Sequence, residues 1–174
     1  MALLRNAHPG ETATIVGRGP SLLSLTAADF GEGPVITLNH AILHVRRLHL
    51  PNPLYSQQKD TRIATPQPPE VLILSAAQSR RCFPSYAPRY VIDIRRTFDI
   101  TPRAMSTTMA VSLARFMGCT AVRMLACDAV TVEDFRTVVG EEALDKRGFG
   151  YRFAGEQATK HALRIGMPLE WVKP

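Results

Sequence analysis

The chain has 174 residues, of which 45% are hydrophobic and 21% charged, and a formal net charge of +6. Its length suits one domain that can bury a core without disulfide or metal staples, and its composition excludes wholesale disorder. No apolar run approaches the ~18 residues of a transmembrane helix, and the first residues lack the apolar core of a signal peptide, so a cytoplasmic protein is expected.

Short apolar runs recur between turn signals. Thr12–Val16 reads as a first strand that ends at Gly17-Arg-Gly-Pro-Ser21, and residues 22–30 read as a short helix or turn. Pro34–Leu38 is a second strand, and Ile42, Val45 and Leu48 give residues 41–48 a helical spacing. Leu54–Gln57 is a weaker third strand, followed by strands at Val71–Ser75 and Arg89–Ile94. Residues 51–69 carry five of the 13 prolines and read as a surface excursion. Ser106 to Gly118 is the clearest helix. Hydroxyl residues can cap its start, Met109, Leu113 and Phe116 form a stripe, and Gly118 supplies a stop. Ala121–Ala126 is a sixth strand. Residues 130–152 are polar and poorly periodic, so a lid or an edge insertion is expected there. A last helix over residues 156–165 stops at Gly166, and Leu169–Val172 is a final strand.

Continuous apolar strands alternating with helices predict an α/β, Rossmann-like single domain. Its central sheet would be mostly parallel, with about 6–7 strands and helices on both faces.

The basic excess is carried by 17 Arg against four Lys. Arg suits planar, bidentate contact with phosphate or carboxylate. The Arg pairs at 46–47, 80–81 and 95–96 are scattered, and no aromatic ladder interleaves them, so the pattern does not favour a nucleic-acid platform. An anionic small ligand, or peripheral contact with an anionic lipid surface, fits it equally well. Cys82, Cys119 and Cys127 show no metal-ligand spacing, and Cys119 and Cys127 flank an apolar run as buried thiols.

Four constellations fall at the carboxyl ends of predicted strands or at a helix start, where doubly wound sheets bind ligands. Gly17, Arg18, Gly19, Pro20 and Ser21 follow the first strand, where glycines let backbone N–H groups approach an anion. The run is neither a dinucleotide fingerprint nor a phosphate loop with Lys-Ser/Thr. Asn39 and His40 end the second strand; Asn39 could donate to a phosphate or ribose, and His40 could act as a base. Ser106, Thr107 and Thr108 offer hydroxyls and free N–H groups at a helix start. Asp128 follows the sixth strand and could hold a sugar hydroxyl or act as a base. No D-x-D occurs and no cluster has metal spacing, so a metal-independent site without a resident cofactor is expected.

In this order the pieces resemble the small bacterial lipooligosaccharide sialyltransferases and the related motility-accessory glycosyltransferase-like proteins. Gly17-Arg-Gly-Pro-Ser-Leu22 is similar to their G-N-G-P-S-L motif, Asn39 to an Asn ending the second strand, the start at Met105-Ser-Thr-Thr to a Thr-Ser-Gly-type helix start, and Ala126-Cys-Asp128 to Gly-x-Asp. The resemblance covers roughly residues 12–42 and 101–130, with a fair match of the last helix and strand. It implies metal-independent transfer from a nucleotide-activated sugar of the CMP-sialic acid type to a glycan or other hydroxyl. Gly17, Gly19, Pro20 and Ser21 would cradle the nucleotide phosphate. Asn39, Ser106, Thr107, Thr108 and Asp128 would line the donor. The chain departs from the family at Arg18, which replaces an Asn. It also lacks the family's tyrosines after Asp128 and a His near residues 147–153. The candidates for the general base are then His40, Asp128 and His161. Two further readings are a non-catalytic module that binds a nucleotide or sugar phosphate, and a basic interaction protein.

Overall fold

The computed structural model describes residues 2–58, 72–75, 90–92, 97–98, 106–127 and 151–172. Strands β1 (Thr12–Val16), β2 (Val35–Leu38), β3 (Leu54–Gln58), β4 (Leu72–Ser75), β5 (Tyr90–Ile92), β6 (Ala121–Leu125) and β7 (Leu169–Trp171) form one sheet in the order β5-β4-β3-β2-β1-β6-β7. Every adjacent pair is parallel. This is the parallel α/β class that the apolar runs predict. From β1 the chain builds outward through β2 to β5. It then crosses back to place β6 on the other side of β1, so the winding direction switches between β1 and β6.

Helix α1 spans Ala41–Val45, α2 Ser106–Phe116 and α3 Tyr151–Arg164. The alternation of side chains along β1 explains how the two faces are covered. Ala13 and Ile15 point into a core shared with Ala110, Leu113 and Met117 of the α2 region and with Ala158 and Ala162 of α3. Val16 points into a second core with Leu22, Leu25, Ala41 and Val45. The central strand is therefore buried on both faces, which requires the continuous apolar run of its sequence.

Several boundaries differ from the sequence reading. Residues 22–30 hold two 3-10 turns, Pro20–Ser24 and Ala27–Asp29. The helical spacing over 41–48 resolves into α1 and a 3-10 turn at Arg46–Leu48. Helix α3 begins at Tyr151, five residues before the expected start, so residues 151 and 152 belong to a helix rather than to a lid or insertion. Residues 59–69 and 128–150 lie outside the described residues.

The N-terminal segment closes the far end of α2. Asn6, His8 and Gly10 donate their N–H groups to the carbonyls of Phe116, Met117 and Gly118, at 3.1, 2.7 and 3.0 Å. Gly118 ends the helix at φ +90°, a left-handed stop that also lets Asn6 and Pro9 pack against it. Among the described residues no helix is long and apolar enough to cross a membrane.

Candidate functional site

The β1 end and the β6 end are stitched together. The Gly17 N–H donates to the Leu125 carbonyl and the Gly19 N–H to the Ala126 carbonyl, each at 2.8 Å. Ala126 adopts φ +49°, a costly left-handed turn for a residue with a Cβ, and this turns the β6 carbonyls toward the β1 loop. One strand over, Asn39 holds φ +51° at the end of β2, a conformation its short polar side chain tolerates.

Between these strand ends lies a cavity of about 120 Å³, lined among others by Gly17, Arg18, Asn39, Ser106, Thr107 and Cys127. The far wall adds Ala154 and Gly155 from the first turns of α3, and Trp171 from β7. Three of the four predicted constellations thus meet at the switch point of the sheet, where α/β folds place ligands. The volume is below the ~300–1,000 Å³ of typical small-molecule sites, so the space between the described walls has room for only part of such a molecule. Arg18 is the only charged side chain among the described lining residues. Helix α2 directs its N-terminus at the cavity through Ser106, which adds positive potential.

Gly19, Pro20 and Ser21 do not line the cavity. Pro20 instead opens the 3-10 turn, and the Ser21 carbonyl accepts from Ser24 Oγ at 2.8 Å. The Thr107 hydroxyl donates to the Ala154 carbonyl at 3.2 Å, tying the α2 start to α3. Thr108 is buried, and its Oγ1 has no hydrogen-bond partner among the described residues. Cys119 is buried, whereas Cys127 is half-buried in the cavity wall rather than fully interior as expected. Cys82 lies outside the described residues.

The three base candidates separate. His40 is 6% exposed and precedes α1, where its carbonyl accepts from the Leu43 N–H. It does not line the cavity. His161 is 7% exposed and sits between α3 and α2, with Nε2 2.6 Å from Ser112 Oγ and Nδ1 3.2 Å from the Arg164 guanidinium. A guanidinium only donates, so Nδ1 accepts, and the neutral ring carries its proton on Nε2, toward Ser112. Both ring nitrogens are therefore engaged, Nε2 across to α2 and Nδ1 within the last turn of α3. Asp128, directly after Cys127, lies outside the described residues.

Burial, together with the nearby Arg164 charge, pushes the His161 pKa below its ordinary value of 6.5. Below that pH the unfolded chain binds a proton that the folded ring resists. The contribution of His161 to stability is therefore fully present above pH 6.5 and is lost as the pH drops below it toward the lowered folded-state value. Urea melts of the native chain and of His161→Gln check this. The native chain should lose stability on going from about pH 7 to about pH 5, and the variant should lose less, because it lacks that titration.

No family model matches the chain, and neither a curated protein nor a solved structure matches it. The likeness to the lipooligosaccharide sialyltransferases therefore rests on the sequence motifs alone. Among the described residues no three His, Cys, Asp or Glu side chains gather in a metal-holding group.

Two residues that position the site escaped the sequence reading. Gln57 and Gln58, each 2% exposed, end β3. Gln57 Nε2 donates to the Ser106 carbonyl at 2.9 Å. Gln58 Nε2 donates to Ser56 Oγ at 2.9 Å and reaches the Asn39 carbonyl at 3.4 Å. The Asn39 N–H is held by the Gln57 backbone carbonyl at 2.9 Å. The pair thus connects two walls of the cavity. The available signal was a polar Ser-Gln-Gln run in a strand flanked by apolar ones, since buried amides persist only when bonded.

Proposed function

We propose that the cavity between the β1 and β6 ends binds the phosphate-bearing end of a nucleotide or nucleotide-activated sugar, and that the chain is a metal-independent, glycosyltransferase-like protein. The observation that carries this reading is the convergence of Gly17, Arg18, Asn39, Ser106 and Thr107 on one cavity at the switch point. One guanidinium, an amide, hydroxyls and a helix N-terminus together suit a phosphate, whereas the Gly17 and Gly19 N–H groups expected to cradle it are instead held by the Leu125 and Ala126 carbonyls. In transfer, the acceptor hydroxyl oxygen would bond to the anomeric carbon as the bond from that carbon to the phosphate oxygen breaks. A base would take the hydroxyl proton, and the site's donors would stabilise the departing nucleotide phosphate. Asp128 is the base candidate adjacent in sequence to the cavity wall. A CMP-sialic acid donor and a glycan acceptor are the choices that the motif resemblance suggests. The placement of His40 and His161 away from the cavity favours a second reading, a module that binds the nucleotide without transfer.

Thermal melts with CMP, UDP, GDP and NAD test the binding step. A ligand at about 100 times its Kd stabilises by about 2.7 kcal/mol, a shift of several degrees at this size. Asn39→Gly keeps the left-handed backbone, removes the amide and should lose most of that shift. Alkylation gives a second readout: the bound nucleotide should slow modification of Cys127. Cys119, whose pKa burial pushes up to about 11, should stay unreactive throughout. No shift with any nucleotide and no protection of Cys127 would overturn the reading. Binding without release of nucleotide from sugar donors would select the module.

A further inference from the structure

Helix α2 links the candidate site to a second cavity. Ser106 borders the first, and Ser112, Arg115 and Phe116 border the second, roughly 9–15 Å along the helix. This second cavity measures about 400 Å³ and is completed by Arg5, Asn6, Thr97, Phe98 and Ile165. Arg5 and Arg115 are both exposed cations, and among the described residues no carboxylate lines the space with them.

Cations near a helix C-terminus commonly offset its partial negative charge. Here the last carbonyls of the α2 region already accept from the N–H groups of Asn6, His8 and Gly10, so they do not need the guanidinium groups as capping donors. The two like charges share one concavity, and neither has an ion-pair partner among the described residues. A further donor comes from Ser112. Its oxygen accepts the His161 Nε2 proton at 2.6 Å, which leaves the hydroxyl hydrogen to be donated elsewhere. Ser112 is 6% exposed and borders the cavity. The aromatic wall is ordered: Phe98 and Phe116 meet edge to face at 6.0 Å, and the Arg5 guanidinium lies 5.3 Å from the Phe116 ring centre.

We propose that this cavity is a second ligand site, for an organic anion whose phosphate or carboxylate is held by Arg5, Arg115 and the Ser112 hydroxyl while a flat apolar group packs on Phe98 and Phe116. Two guanidinium groups and a hydroxyl supply only donors toward an oxyanion, and the rings supply the face for its flat part. The site is separate from the cavity at the switch point and does not depend on the function proposed for that cavity.

The test is calorimetric titration of the 174-residue chain at constant ionic strength with three probes: phenyl phosphate, benzoate and inorganic phosphate. Phenyl phosphate or benzoate should bind saturably, and whichever is tighter names the anion. Inorganic phosphate should bind more weakly than phenyl phosphate. Arg115→Ala should raise the Kd of the bound probe by about tenfold or more, and Arg5→Ala should act in the same direction. Both positions are exposed, and a circular-dichroism melt establishes that each variant is folded. Arg47→Ala removes an equal charge elsewhere and should leave the Kd unchanged. The proposal fails if neither aromatic anion binds saturably, if binding survives both Arg5→Ala and Arg115→Ala, or if Arg47→Ala weakens it as much as they do. Equal affinity for phenyl phosphate and inorganic phosphate would overturn the role of the aromatic wall.

Discussion

Gly17→Ala is expected to destabilise the protein by about 3 kcal/mol, lowering Tm by roughly 6–12 °C. A Cβ at this position would overlap the Ala126 carbonyl oxygen and lie 2.7 Å from Cys127 Sγ and 3.0 Å from the Ala126 carbonyl carbon. Two of these atoms are backbone and cannot swing aside. The strand ends would have to separate, stretching the Gly17–Leu125 and Gly19–Ala126 hydrogen bonds that hold the crevice in shape. Gly31→Ala is the matched control. Its Cβ would meet only Arg123 Nη1, at an ordinary 3.7 Å, and its stability should stay within about 0.5 kcal/mol of the native chain. Calorimetric scans of the two variants decide the matter. If Gly17→Ala melts with the native chain, the ends of β1 and β6 do not approach as described.

Leu113→Ala should cost about 3–4 kcal/mol, the range for a fully buried leucine whose surroundings relax only in part. Leu113 is 0% exposed, and its core spans Ile15 of β1, Ile36 of β2, Met124 of β6 and Ala158 of α3. Leu163→Ala, at a residue of α3 that is 75% exposed, makes the same chemical change and should shift stability by no more than about 0.5 kcal/mol. Urea denaturation of both variants separates burial from helix propensity, which is shared. Loss of Leu113 also bears on the cavity, because the same helix presents Ser106 and Thr107 to it. A nucleotide-induced stabilisation should therefore shrink in Leu113→Ala. Equal midpoints for the two variants would refute this account of the core.

What the sequence revealed, and what it hid, follow one physical line. β2 is buried throughout and β1 from Ala13 onward, and β6 keeps Val122, Met124 and Leu125 buried around the half-exposed Arg123, so their runs are mostly apolar and easily read. The start and stop of α2 were readable because hydroxyl residues and Gly118 act locally. β3 was harder, since Ser56, Gln57 and Gln58 are buried polar residues and the partner of Gln57 is distant in sequence: it bonds to Ser106, 49 residues away. The meeting of residues 17, 39, 106 and 107 was legible, because strand-end positions in a parallel sheet face one side. The parts played by Gly155 and Trp171 were not, since nothing local marks a glycine within a helix or a tryptophan in a last short strand as a cavity wall. The two histidines marked as bases carried no local sign of burial. His161 is defined by Ser112, 49 positions earlier.

The pairing of β1 with β6 has a kinetic side. Thr12 lies beside Ala121 in the sheet, more than a hundred residues later in the chain. While the chain is being made, β1 can pair with β2 soon after both emerge, but its other edge stays open until β6 arrives. Closing so long a loop is entropically costly and slow. An unpaired apolar strand edge is also a template for the wrong partner. The crevice at residues 17 and 126 therefore does not exist in any nascent chain shorter than β6, and ligand can favour the folded state only after that pairing is made.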